Sequence, residues 1–183
     1  MILLADGMDL AKMKLFTVAR TFDKKWFLVI LAFGLSLLWD SPLLALSVNS
    51  TAPDFTLVDL EGKKVALSDY QGGPVILKLG TTWCPGCRDQ SRELQKLDRF
   101  ISEAGVTIIE VFLDDPPEDV SSYQREHPMK SKVVTLLGDK QVMRDYGVYA
   151  IPRLIILSSK QKVLVDSTGM TAQQIKARIL QKE

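Results

Sequence analysis

Hydrophobic positions change period several times along the chain, and each change marks an element. Phe55 to Leu60 and Lys64 to Leu67 read as two short extended segments around Glu61-Gly62, the signal of a hairpin. Gln71-Gly72-Gly73-Pro74 breaks the chain, and Val75 to Gly80 follows as a mostly apolar strand. From Arg88 the spacing lengthens. Leu94, Leu97 and Ile101 recur at helical intervals, Phe100 widens the stripe and Gly105 ends it, which predicts one helix. Thr107 to Leu113, rich in branched and aromatic residues, is the next strand, and strand, helix, strand of this kind implies a right-handed crossover between parallel strands.

After the turn Asp114-Asp115-Pro116-Pro117, residues Glu118 to Glu126 are polar enough for an exposed helix. Val133 to Leu137 reads as a short strand and Lys140 to Tyr146 as a short helix closed by Gly147. Leu154 to Leu157 and Val163 to Asp166 are strands joined by the polar turn SSKQK, and Thr171 to Leu180 closes the chain as a helix. The sequence has no internal repeat. One α/β domain with helices on both faces of a sheet accounts for the whole pattern.

The first 47 residues follow a different rule. Residues 26–39, WFLVILAFGLSLLW, carry no charge; Lys12, Lys14, Arg20, Lys24 and Lys25 precede them and Asp40 follows. Basic residues on the leading side orient such a segment with its start in the cytoplasm and the rest outside. As a helix the run would be about 21 Å long, against about 30 Å for a membrane core, which fits the core of a signal peptide. Ala45-Leu46-Ser47 offers small residues for cleavage near Ser47, before Val48. Leu43 to Leu46 could instead extend the apolar stretch, so that residues 26–46 stay in contact with the membrane as an anchor. A helix buried in a soluble protein is the third reading of the run; on the first two, residues 1–47 form an n-region with a signal peptide or anchor, residues 48–183 form the domain, and that domain is expected in the periplasm or another extracytoplasmic space.

From Val48 onward positive and negative side chains balance, 18 of each, which gives no support to a nucleic-acid partner. The chain has two cysteines, and they stand together as Cys84-Pro85-Gly86-Cys87. Two thiols at this spacing can close a small disulfide and exchange with a substrate disulfide through a mixed-disulfide intermediate. With Cys84 at a helix N-cap, unpaired amides and the helix dipole favour its thiolate. Pro85 then falls at the first helical position, where its missing N–H costs nothing. Gly86 keeps the turn tight, and Cys87 lies inside the first turn, more sheltered. This makes Cys84 the nucleophile and Cys87 the resolving thiol. Trp83 brings a flat apolar surface that could shield the thiolate or simply pack beside a strand end. Pro152, in Ala150-Ile151-Pro152-Arg153, reads either as a cis-proline or as an ordinary proline at a strand start. No cofactor and no metal is called for.

The stretch LKLGTTWCPGCRDQ, the later IPR and the lead-in APDFTLVDLEGKKVALSDYQGGPVIL resemble the thioredoxin-like superfamily, and within it the TlpA and ResA-like thiol-disulfide oxidoreductases. The resemblance covers about residues 52 to 182. It implies a thioredoxin-like fold: a central mixed sheet flanked by helices on both faces, with an N-terminal hairpin and an inserted strand-helix element at about 114 to 137. It also implies that Pro152 is a cis-proline facing Cys84 and Cys87, and that the Ile151 backbone pairs with an extended substrate segment, a form of strand addition. The partners it implies are proteins carrying disulfides and a membrane electron donor for the dithiol. The expected activity is reduction of disulfides in extracytoplasmic proteins.

Three departures from the resembled pattern stand out. Arg153 replaces a common threonine and could bring positive charge to the substrate path if it points outward. Gln90 stands where ResA-like chains carry a glutamate. Lys78 stands six residues before Cys84, where thioredoxins place a buried aspartate, and Glu110 occupies a place like that of the accompanying lysine. A buried ammonium needs a carboxylate opposite it. Lys78 and Glu110 are therefore expected to pair beneath the helix carrying Cys84, and one of them to relay the proton of Cys87; otherwise Lys78 snorkels to the sheet edge and Glu110 faces water. Two rival functions remain at this level. A copper or zinc delivery module would need His127 or Met129 near the thiols, and a non-catalytic thioredoxin-like binding domain would reduce nothing. A peroxidase is disfavoured because Gly80, Thr81 and Thr82 do not reproduce the proline-to-cysteine motif of peroxiredoxins.

Overall fold

The computed structural model describes residues 46–181, so the apolar segment and its cleavage or anchoring lie outside the described residues. The two strands read as apolar runs form the middle of the sheet. β3 (Val75–Gly80) is buried at every position, and β4 (Thr107–Leu113) at all but its first. Strands buried on both sides lose the alternation of a half-exposed strand, which is why these two read as continuous apolar runs. They pair in parallel, and β4 also pairs in parallel with β5 (Val133–Gly138). The hairpin of β1 (Thr56–Asp59) and β2 (Lys64–Ala66) joins through β1 antiparallel to β5. On the other side β6 (Arg153–Leu157) runs antiparallel to β3 and pairs with β7 (Val163–Ser167). The sheet order is β2-β1-β5-β4-β3-β6-β7. This is the mixed sheet of a thioredoxin-like fold.

Alternation along the central strands divides the core in two. Leu77, Leu79, Ile109, Val111 and Ile155 pack against Phe55, Leu67 and Tyr146 on one face. That face is closed by the 3-10 turn Leu67–Tyr70 and by α4 (Lys140–Asp145), whose end places Tyr146 to donate to the carbonyl of Pro53 at 2.6 Å. Ile76, Ile108, Leu154 and Ile156 face the other way, under α1 (Pro85–Gln95), α2 (Asp98–Glu103) and α5 (Ala172–Leu180). Phe112 on the same side packs against Val120 and Tyr123 of α3 (Pro117–Glu126).

Two expectations change. The helix predicted to run on from Arg88 through Ile101 is broken at Leu97, whose φ of −103° and ψ of 2° leave the helical region. The break lets the Asp98 carboxylate accept the backbone N–H groups of Lys130 and Ser131 at 2.7 and 2.8 Å while Leu94, Leu97 and Ile101 all stay buried. The segment read as an exposed helix, now α3, buries Val120 and Tyr123, three apart and so on one side of the helix.

Candidate active site

The helix start at Pro85 positions both thiols. Cys84 is the N-cap of α1, with extended φ and ψ of −77° and 118°, and its Sγ accepts the backbone N–H of Cys87 at 3.3 Å. Both cysteines are free thiols. The Cys84 thiol also lies 3.9 Å from the carbonyl oxygen of Ile151, toward which its S–H can donate. The Ile151-Pro152 peptide bond is cis. Gly86 has a reason beyond the turn: a Cβ there would sit 3.1 Å from Pro152 Cδ, so glycine leaves room for the proline ring against the first turn of α1. Gly80 does the same beneath Cys87, where a Cβ would meet Sγ at 2.7 Å. Cys87 is thereby sunk between the end of β3 and α1 with no exposed surface.

Burial pushes the Cys87 thiol up to about 12, helped by its hydrogen bond with Cys84. The backbone N–H of Thr81 and the charge of Lys78 pull the other way. Beside the pair, Trp83 and Tyr149 are 71% and 82% exposed, far more than rings of that size in a core. They border an open, mostly apolar cleft of about 980 Å³ that reaches from Ile151 to Met143 and Arg144 of α4.

The parallel register of β3 and β4 sets Lys78 directly beside Glu110 on the face that α1 covers. Lys78 is 2% exposed, and its Nζ donates to Glu110 Oε1 at 2.8 Å, Ser91 Oγ at 2.6 Å and Tyr123 Oη at 3.3 Å. An ammonium has three N–H donors, and here each has an acceptor. Burial opposes the charge of Lys78, but the Glu110 carboxylate and Tyr123 outweigh it and hold the amine above its ordinary value. The amine thus stays charged, with Phe112 and Tyr123 ring centroids 5.7 and 5.1 Å away.

Arg153 is engaged within the sheet. Its guanidinium forms a two-armed pair with Asp166 on the neighbouring strand and donates to the carbonyl of Gly147, so its charge is already met. Gln90 is buried, accepting the N–H of Met170 at 2.8 Å and donating to its carbonyl at 3.1 Å, which ties α1 to the loop before α5. His127 stacks on Tyr123, with its Nδ1 2.9 Å from the Tyr123 carbonyl, and Met129 packs with the core under α1 and α2. Among the described residues no group of three His, Cys, Asp or Glu is gathered where a metal could sit.

Sequence reasoning missed Ser91 and Tyr123, both buried partners of Lys78. The three-residue spacing of Val120 and Tyr123 was the available signal for the second; Ser91 carried none. It also missed Asp115, whose carboxylate accepts both the N–H and the hydroxyl of Thr82, at 3.1 and 2.7 Å. Arg88 Nε donates to the Thr82 carbonyl at 3.0 Å, so the loop that leads into Cys84 is held from two sides.

A dithiol at a helix start, facing a cis-proline at the end of a mixed sheet, has known counterparts. Residues 48–167 match the AhpC/TSA family. The chain belongs to this family. It is homologous to the TlpA, ResA and DsbE branch of thioredoxin-like thiol-disulfide oxidoreductases. The thiol-disulfide oxidoreductase ResA of Geobacillus thermodenitrificans is 34% identical over 74% of this chain and 78% of its own length. Among solved structures, the thioredoxin domain of a thiol-disulfide oxidoreductase from Bacteroides vulgatus is 25% identical, with a TM-score of 0.65 over 73% of this chain and 99% of that one. A thiol:disulfide interchange protein from a Bacteroides species is 26% identical, with a TM-score of 0.64 over 73% and 89%. The chain is accordingly an enzyme, a thiol-disulfide oxidoreductase with a redox-active cysteine pair.

Proposed function

We propose that this oxidoreductase reduces disulfides of extracytoplasmic proteins, with Cys84 as the attacking thiol and Cys87 as the resolving one. The observation that carries the order is the unequal placement of the pair: Cys84, 7% exposed, lies at the helix start beside Ile151, whereas Cys87 has no exposed surface. In the forward cycle the Cys84 thiolate attacks one sulfur of the substrate disulfide, forming a Cys84–substrate bond and releasing the first substrate thiolate. Cys87 then loses its proton and attacks Cys84, forming the intramolecular disulfide and releasing the second thiolate. Two electrons pass to the substrate, and the protons given up by the thiols match those the two substrate thiolates take up.

The Ile151 backbone and the Trp83 and Tyr149 rings offer an extended substrate segment a surface next to Cys84, with Pro152 and Gly86 forming its floor. Lys78 donates to three other groups, so its part is electrostatic: its charge favours the Cys87 thiolate. Glu110 keeps that charge in place, and it is the member of the pair that could accept the proton of Cys87. Arg153 positions β6 by its pair with Asp166. The reduced state is regenerated by a membrane electron donor, and the basic and apolar order of residues 12–39 supports an extracytoplasmic site.

Trapping tests the assignment. Incubated with a disulfide-bonded protein, Cys87→Ser is expected to accumulate a mixed disulfide through Cys84, resolved by mass spectrometry of the non-reduced complex. Cys84→Ser is expected to trap little. Equal trapping by the two variants would reject the order.

A further inference from the structure

We propose that Tyr123, brought in by α3, is a positioning residue for the resolving step, so that this helix is part of the redox centre. The inference rests on the dithiol cycle proposed above. Tyr123 is 2% exposed, and its hydroxyl sits at the junction of three groups. It donates to the backbone carbonyl of Cys87 at 3.3 Å, lies 2.8 Å from Ser91 Oγ, and accepts from the Lys78 ammonium at 3.3 Å. A directed path follows from the donor inventory. Lys78 donates to Ser91, Ser91 to Tyr123, and Tyr123 to the Cys87 carbonyl.

The carbonyl it reaches belongs to the resolving cysteine itself, in the first turn of α1. One hydroxyl therefore holds the backbone that carries Cys87 and supplies one of the three acceptors that keep Lys78 charged beneath it. A buried network of this kind acts as a unit, and an ammonium left with an unmet donor in such a site is costly. The ring is separately fixed by an edge contact with Phe112 at 5.2 Å and by stacking on His127 at 4.2 Å, so removing the hydroxyl leaves the packing in place. Cys84 shares none of these contacts. Loss of the hydroxyl should act on the second thiol and spare the first.

The reduced protein, mixed with excess 5,5′-dithiobis(2-nitrobenzoate), separates the two steps. Attack by Cys84 forms a mixed disulfide with one thionitrobenzoate and releases another. Attack by Cys87 then closes the Cys84–Cys87 disulfide and releases the second. Tyr123→Phe is expected to leave the first release within about twofold of wild type and to slow the second about tenfold, the loss of one buried hydrogen bond to a charged network. Ser91→Ala, which cuts the same path one step earlier, is expected to slow the same phase, and it carries the test if Tyr123→Phe does not fold. Equal slowing of both phases, or an unchanged second phase in the folded variants, overturns the inference. A wild-type protein that never releases the second thionitrobenzoate rejects the dithiol cycle, and the inference with it.

Discussion

Cys87 is a thiol that keeps its proton. Buried against Gly80 and pushed up from an ordinary 9.0 to about 12, it gives up its proton in the folded chain at far higher pH than in the unfolded one. The folded state therefore binds the extra proton, and this stabilisation is full below about pH 9 and lost as the pH rises toward 12. Reduced wild type is expected to lose more denaturant resistance across that window than Cys87→Ala does, as read by unfolding midpoints; parallel curves would mean that Cys87 titrates in the ordinary range. The thiols and their helix start were legible in the sequence because N-cap, Pro85 and spacing are local features. The roles of Gly86, Gln90 and Arg153 were not, because each is defined by a partner on another element: Pro152, Met170 and Asp166.

At the scale of elements, the pairing of β3 with β4 turns two isolated charges into a buried pair. Lys78 and Glu110 are register partners on the face that α1 covers, with side chains 3% and 11% exposed. Removing one partner leaves the other charge buried and unmet, which costs about 3–5 kcal/mol, whereas replacing both can be close to neutral. Lys78→Met alone is expected to lower the unfolding free energy by about that amount. Lys78→Met with Glu110→Leu is expected to recover most of it. Additive losses in this double-mutant cycle would contradict a coupled pair. The neighbourhood of the two strands was readable from their apolar runs and from the helix between them. The break at Leu97 was not, since it lets the Asp98 side chain serve amides at Lys130 and Ser131, far along the chain.

For the whole molecule, the sheet order brings the end of β3 and the start of α1 against the start of β6, so that Cys84, Cys87 and Pro152 meet although they come from distant parts of the chain. The thioredoxin-like architecture was legible because strand and helix signals alternate from Val75 to Leu157, with hairpin signals on either side of that run. Among the described residues no helix is long and apolar enough to cross a membrane. The direction of electron flow proposed above turns on how far the reduced dithiol is stabilised. A dithiol becomes a strong oxidant when its reduced form is stabilised, chiefly as the thiolate of the attacking cysteine at the helix start. The equilibrium reduction potential of the Cys84–Cys87 couple, measured against a glutathione or dithiothreitol buffer, tests this most directly. A reductant should lie near the roughly −270 mV of thioredoxin, and a value near the roughly −120 mV of a strong oxidant would reverse the assignment.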